Sequence, residues 1–593
     1  MAATTMLPAP DDAPASSPAW QRRPVPDSLG PWRPESRATG WLLSIAVTLI
    51  AAVTRFWALG FPQGKSFDEV YYAVEAQELL RYGYEDNRDY MFVVHPPLGK
   101  WCIALTSWLF GDRGVLWHTS ESFSWRVAPA LAGTISVLIV ARLAQRMFRS
   151  TIAGALAGLL MALEGISLVM SRVALLDIFL QTFLLAGFAC LVIDRDQVRA
   201  RLGRLYAAGV DLRNGAPSLG PRPWRLLGGV LLGLGCAVKW SGLSFWLGFA
   251  VLSLLWDRGA LRAAGVERPW INWWRRSFPT GFCSLIVAAV TSYLLAWTGW
   301  FVGENSWNRH WSDTHPGTGL FGWLPGGIRS LANYHHQAYE FHSHLYDPHA
   351  YKANPWSWLI LGRPISFYAP SDVTGCGASS CSREILLIGT PIMYWAFVPA
   401  VLWCAWRWVT TRDWRAGSVL MASMVGWGVW LQDQKRTGFL FYMTPLMPYL
   451  VLGLTLALTT MLSTVAEDAR SSPMPLRRAR PSASLDEASL DEASLDKASL
   501  DKASLDNARV DEARVNAAAT DEDRPNPNAP REVGLLEWIR VRGIPISRLA
   551  RTAAVALFLG AVVADFTWMW PIFTGGMLTH AQWSQRMWFP SWI

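Results

Sequence analysis

Long apolar runs separated by short polar connections dominate this chain. Stretches of about 15–24 apolar residues recur between residues 41 and 570, close to the ~20 a helix needs to cross hydrocarbon. They predict spans at 41–59, 125–148, 152–170, 173–193, 224–238, 241–256, 279–300, 385–408, 414–431, 439–461 and 550–570. The expected fold is an all-α polytopic membrane protein with about eleven transmembrane helices. A soluble enzyme of this length would show shorter elements and more polar spacing.

Two polar gaps between spans are long, about 60–124 and about 301–384. Two other segments read as unstructured. Residues 1–40 are rich in Pro, Ala and Ser and lack the apolar core and cleavage site of a signal peptide, so a disordered cytoplasmic tail is expected. Residues 462–549 form a cytoplasmic low-complexity linker. It contains the five-residue repeat "ASLDEASLDEASLDKASLDKASLDN", Ala483 to Asn507. A period of five keeps no leucine face in register, and dense charge favours a solvated chain. Residues 550–593 are expected to be the last helix and an outer tail.

Charge orients the spans. The net charge is +8 with 51% hydrophobic residues, and the Arg is concentrated in alternate connections. "RLAQRMFR", "DRDQVRARLGRL", "DRGALRAAGVERPWINWWRR" and "RWVTTRDWR" all fall on one side if the N-terminus is cytoplasmic. This satisfies the positive-inside rule and puts the C-terminus outside. The basic balance therefore reflects a membrane and does not imply nucleic acid.

With that orientation all ten histidines lie on the outer side. His95 and His118 are in the first long loop and His580 is in the tail. His310, His315, His335, His336, His342, His344 and His349 are in the second long loop. Outer turns add Glu164, Arg172, Lys239 and the run Asp433, Lys435, Arg436. Ionisable groups gathered at one membrane face point to a functional cavity. Each alone has a plainer reading, as a headgroup anchor or a surface side chain. The His-rich loop lacks helical ligand spacing, which argues against a catalytic metal. Cys376 and Cys381, in "CGASSC", fit a disulfide better than a zinc half-site, because no second Cys pair exists.

Asp68 and Glu69 lie just beyond the first span. A membrane-surface enzyme needs such a carboxylate to take a proton from an acceptor. The competing reading is helix capping, since acids suit the positive end of a helix dipole.

The segments "SFDEVYYAVEAQELLRYGY", "VHPPLGKW", "SWRVAPALAG", "SRVALLDIFL", "GCAVKWSGL" and "HAYKANPWSWLILGRPISFY" resemble, in this order, protein O-mannosyltransferases, membrane glycosyltransferases of the GT-C fold. The resemblance spans about residues 40–460. It looks like a bacterial form, because the second long loop is too short for the β-trefoil MIR domain of eukaryotic members, and the Ala-, Arg- and Trp-rich composition suggests an actinobacterium. "HAY", His349 to Tyr351, stands where the family often has "HPY".

The resemblance implies transfer of mannose from polyprenyl phosphate mannose to Ser/Thr hydroxyls of secreted proteins at the outer face of the cell membrane, with inversion. It implies Asp68 as the base and Glu69 as a residue that orients the acceptor or a neighbouring basic group. Arg126, Lys239, Arg436, His342 and His349 are the candidates for the donor phosphate. Arg126 is favoured for its bidentate fork. His95 and Tyr351 are possible supports, and Arg172 with Asp177 a structural pair. No firm cofactor and no metal ligands are assigned, and a divalent ion is left open. Partners are the lipid-linked donor, acceptor proteins, membrane lipids and the secretion translocon. Two rivals stand beside this reading: another polyprenyl-phosphate-sugar GT-C enzyme acting on a lipid or glycan, and a transporter. Against the transporter, no inverted repeat is evident.

Overall fold

The computed structural model describes residues 25–30, 35–86, 94–213, 217–319, 322–463 and 546–593. The described residues up to 463 belong with Arg551–Ile593 to one compact unit. The repeat Ala483–Asn507 and all of 464–545 lie outside the described residues.

A helix occupies each predicted span position, with shifted ends. The first is α1 (Arg37–Phe56), entered through Ser36, whose hydroxyl accepts from the Thr39 amide. Two loop helices follow, α2 (Glu69–Tyr82) and α3 (Leu98–Phe110). Then come α4 (Glu121–Phe148), α5 (Thr151–Ala162), α6 (Gly165–Met170), α7 (Asp177–Ala207), α8 (Pro223–Cys236), α9 (Gly242–Ala263) and α10 (Pro269–Ala296). The second long loop carries α11 (Gly326–Ser343) and short strands. It leads to α12 (Pro391–Thr411), α13 (Trp414–Gly426), α14 (Leu440–Leu462) and α15 (Ile546–Thr574). Seven of these helices are long and apolar enough to cross a membrane. The chain is a multi-pass membrane protein. Helices α4, α7 and α14 are enclosed on most sides, whereas α1, α10 and α15 turn most of their surface outward.

The shifts have local causes. The run 152–170 breaks because the Glu164 carboxylate accepts from the Ile166 and Ser167 amides and starts a new helix, α6. The run 385–408 begins as a strand. Ile385–Leu387 (β3) pairs antiparallel with Ile365–Tyr368 (β1), and Pro391 then opens α12. Helices α7 and α9 continue past their apolar runs because ion pairs carry them. Arg222 bridges Asp194 and Asp257, and Arg225 joins Asp257 at 2.9 Å. Close helix contact comes from Gly229, where a Cβ would stand 1.8 Å from the Ser284 carbonyl oxygen of α10.

The tail expected to be disordered is ordered where it is described. Leu29 is fully buried against Val198 and Leu202 of α7, and Arg199 donates to the Ser28 carbonyl. The last segment is likewise tied down. Met577–Thr579 (β4) pairs with Cys381–Arg383 (β2), and Trp592 donates to the Leu361 carbonyl. Cys376 and Cys381 form a disulfide beside β2.

Candidate active site

Asp68 is set by the residue before it. Phe67 has φ +51°, an uncommon conformation for a bulky residue. Its ring is held 5.1 Å from Phe367, 6.2 Å from Phe439 and 6.1 Å from Phe441. Asp68 then stands at the N-cap of α2, yet its side chain makes no capping bond. The capping explanation therefore does not hold for Asp68. Burial pushes its carboxyl up to about 6; the Lys239 charge pulls it down, and Asp177 and Glu75 push it up.

Three other elements deliver charge to the same place. Asp177 is the first residue of α7, and both its oxygens accept from Lys239 Nζ, at 3.0 and 2.9 Å. Lys239 lies in the turn between α8 and α9. Its ammonium also sits 4.7 Å from the Tyr442 ring centre and 5.3 Å from that of Phe441, at the start of α14. Arg436 follows from the turn before α14. It donates through Nε to the His342 carbonyl at 3.0 Å and through Nη1 to Thr437 and to the Tyr442 hydroxyl. Asp68, Asp177, Lys239, Tyr442 and Arg436 thus form one cluster from four separate parts of the chain.

Glu69 and Arg126 do not belong to it. Glu69 accepts from Arg126 Nε at 2.8 Å and Nη2 at 2.7 Å, and also from the Ser66 and Ala174 amides. Arg126 spends its other donors on the Pro62 and Gly64 carbonyls. Both side chains are 0% exposed. The phosphate role expected of Arg126 fails because its fork is consumed inside the protein. Glu69 orients a basic group, but as part of a joint sealed inside the protein.

Other expected residues also move. Arg172 does not pair with Asp177; it donates to the Thr54, Arg55 and Trp57 carbonyls and closes the end of α1. His342 uses Nε2 on the Val94 carbonyl at 3.1 Å. Burial lowers its pKa to about 4, with Arg436 and Lys239 acting the same way. Its ring is therefore neutral, and its one N–H is already engaged, so it is poorly suited to grip a phosphate. His95 stacks on it at 5.2 Å, and burial holds His95 well below its ordinary range. His349 packs edge-on to Phe439 at 5.0 Å, and its Nδ1 accepts from the Tyr351 amide. Tyr351 faces Arg363.

Phe67, Tyr72 and Tyr442 also line the cluster, although their residue types carry no charge signal in the sequence. Tyr72 is buried one turn after Asp68, its ring 6.1 Å from that of His95. The i, i+4, i+7 spacing of Asp68, Tyr72 and Glu75 was the available signal. Lys100 was also missed. It is fully buried between Glu75 at 3.3 Å and Glu85 at 2.6 Å, and it fastens α3 to α2. Among the described residues, no three His, Cys, Asp or Glu side chains gather as a metal ion would require.

A buried carboxyl beside an ammonium and a guanidinium suits transfer of a group from a phosphate leaving group. The sequence agrees. Residues 45–299 match the family described as dolichyl-phosphate-mannose-protein mannosyltransferase. A polyprenol-phosphate-mannose–protein mannosyltransferase of Mycolicibacterium smegmatis is 36% identical over 583 residues, 96% of this chain and 95% of that protein. The chain belongs to the protein mannosyltransferase family. A second member, from Mycobacterium tuberculosis, is 34% identical over 94% of this chain and 93% of its own length. The S. cerevisiae protein O-mannosyltransferase Pmt1–Pmt2 complex bound to the sugar donor shares the GT-C fold. Its TM-score is 0.62 at 14% identity, covering 93% of this chain and 92% of that one. In this chain the first acid of the pair faces the charged cluster and the second faces Arg126.

Proposed function

We propose that this chain transfers mannose from polyprenyl phosphate mannose to Ser or Thr hydroxyls of proteins. The observation that carries the reading is Asp68, an uncapped carboxylate raised by burial and set beside the Asp177–Lys239 pair. Asp68 takes the hydroxyl proton as the acceptor oxygen attacks the sugar carbon. The bond from that carbon to the phosphate oxygen breaks in the same step. The electron pair leaves on the lipid phosphate, whose growing charge Lys239 and Arg436 stabilise. One displacement without an enzyme nucleophile inverts the anomeric centre. Family membership favours this over a transporter or a glycan-modifying enzyme.

The rest of the reading follows the charge pattern. The chain crosses the plasma membrane eleven times, with its N-terminus inside and its C-terminus and active site outside. The Arg-rich connections at one end support this, as does a disulfide at the other. Acceptors arrive from the secretion translocon, and membrane lipids flank the helices. No resident cofactor or metal is assigned, since the donor brings both sugar and leaving group. The test supplies labelled polyprenyl phosphate mannose and a Ser/Thr peptide to membranes holding the full chain. Transfer to the peptide, with α-linked product from a β-linked donor, is expected. Label appearing only in lipid or glycan would defeat the reading.

A further inference from the structure

Two imidazoles beside the charged cluster have polar atoms that nothing in the protein meets. His95 is 9% exposed, and its Nδ1 is buried without a hydrogen-bond partner. His342 Nδ1 is buried without a partner as well. The two rings stack at 5.2 Å with a 24° tilt. Since His342 Nε2 lies 3.1 Å from the Val94 carbonyl, which can only accept, Nε2 carries the proton. His342 Nδ1 is thus a bare lone pair that calls for a donor. Neutral imidazole lone pairs suit hydroxyl groups and do not suit phosphate oxygens.

The surroundings fit a sugar. The Trp240 ring lies 6.3 Å from His342, and that of Tyr72 lies 6.1 Å from His95. Lys239 and Arg436, the cations of the cluster, are close enough for their charges to act on both imidazoles. A pyranose linked to a phosphate presents an apolar face, several hydroxyl donors and an anion at one end. Here aromatic rings, unpaired imidazole nitrogens and cations lie near one another.

We propose that His95 and His342 form the sugar subsite of the donor, with their Nδ1 atoms hydrogen-bonded to hydroxyls of the mannosyl ring. This rests on the reading of the cluster as the mannosyl-phosphate site. Leaving buried polar atoms unpaired destabilises the free enzyme, and sugar binding recovers that loss. Both atoms are covered, so the sugar enters as the His342 ring parts from His95. His342 lies in the last turn of α11, just before the exposed stretch Tyr346–Ala350. The subsite acts on specificity, because a site built to pair a hydroxyl discriminates against a donor that lacks it at that position.

The experiment compares two ligands that differ only by the sugar. KM for polyprenyl phosphate mannose and the inhibition constant of sugar-free polyprenyl phosphate are measured for the full chain, His95→Phe and His342→Phe. Each variant should raise KM about tenfold, the scale of one lost hydrogen bond, with the inhibition constant unchanged. Preference for the mannosyl over the glucosyl lipid should also narrow. A parallel rise in both constants, or no change in either, overturns the subsite. If the Phe variants fail to accumulate, diethyl pyrocarbonate labelling of the native chain decides. Donor should shield His342, and equal shielding by sugar-free lipid phosphate would overturn the proposal. A wild-type chain that moves no mannose to peptide would instead defeat the functional reading itself, so the two failures are distinguishable.

Discussion

Glu69–Arg126 and Asp177–Lys239 are both buried carboxylate–cation pairs, yet their surroundings set them to different tasks. Around the first, every neighbouring polar group already belongs to the pair: the Ser66 and Ala174 amides and the Pro62 and Gly64 carbonyls. Its charges cancel locally, and it pins the loop after α1 to α4. Around the second, Lys239 also meets the faces of Phe441 and Tyr442, and its charge reaches Asp68. A sealed pair holds shape, whereas a pair with a carboxylate and aromatic faces beside it can respond to a ligand. Two acids adjacent in sequence thereby serve one region each.

The strongest way to break this contrast is Arg126→Ala. It strands Glu69 as an unpaired buried charge, so a destabilisation of about 3–5 kcal/mol is expected. The measurement is thermal unfolding in detergent, with donor KM followed in whatever folded fraction remains. A stable protein with only a raised KM would return Arg126 to the phosphate.

Asp68→Asn should do the reverse. Transfer should fall at least ~100-fold, in the range of a lost general base, while the fold survives. The pH dependence has a defined sign. With its pKa raised to about 6, Asp68 disfavours the folded state once it ionises, so its penalty grows as pH rises from the ordinary carboxylate range through about 6. Asn removes the penalty, and the variant should unfold at a higher temperature than the parent at pH 7.5. The parent kcat/KM should climb through about pH 6, and the variant should lack that limb. A variant that keeps the limb would move the base elsewhere.

In the folded fraction a smaller effect is expected from Lys239→Ala, roughly tenfold in transfer rate with a higher donor KM, on the scale of one charge-assisted hydrogen bond, beside the loss of stability from stranding Asp177. Asp177→Asn sharpens the comparison, since it leaves the ammonium in place but less compensated. If both variants changed only peptide affinity, the cluster would belong to the acceptor. Least of all, replacing Cys376 and Cys381 together by Ser should lower stability by about 2 kcal/mol, from the entropy of a short closed loop. Activity should hold, which a transfer assay with and without reductant checks.

Much of this was readable from sequence, and the reason is physical. A long apolar run favours a membrane helix, so most helix positions follow from hydropathy. Helix ends were less legible. Glu164 starts α6 and Arg222 extends α7 and α9 through contacts between distant residues. Asp68 was legible as a candidate because an acid just past a span is conspicuous. Arg126 misled for the same reason. Its depth and chemistry suited a phosphate, and only the three-dimensional path of residues 59–66 shows its donors already engaged. Phe67 was invisible, because sequence alone does not reveal a positive φ in a bulky residue.

The pairing of β2 with β4 sets an order of events during synthesis. Ser382 of β2 also contacts His580, 198 residues later in the chain. At roughly 5–20 residues per second, the first of these segments waits about 10–40 s for the second. Until α15 has been made and placed, Cys381–Arg383 is an open strand edge, beside cysteines free to choose their partner. Pairing by Met577–Thr579 therefore closes this edge only after α15 is in place. A chain cut short after α15 but before Met577 keeps α1 to α15, yet it should leave that edge exposed to chaperones and proteases.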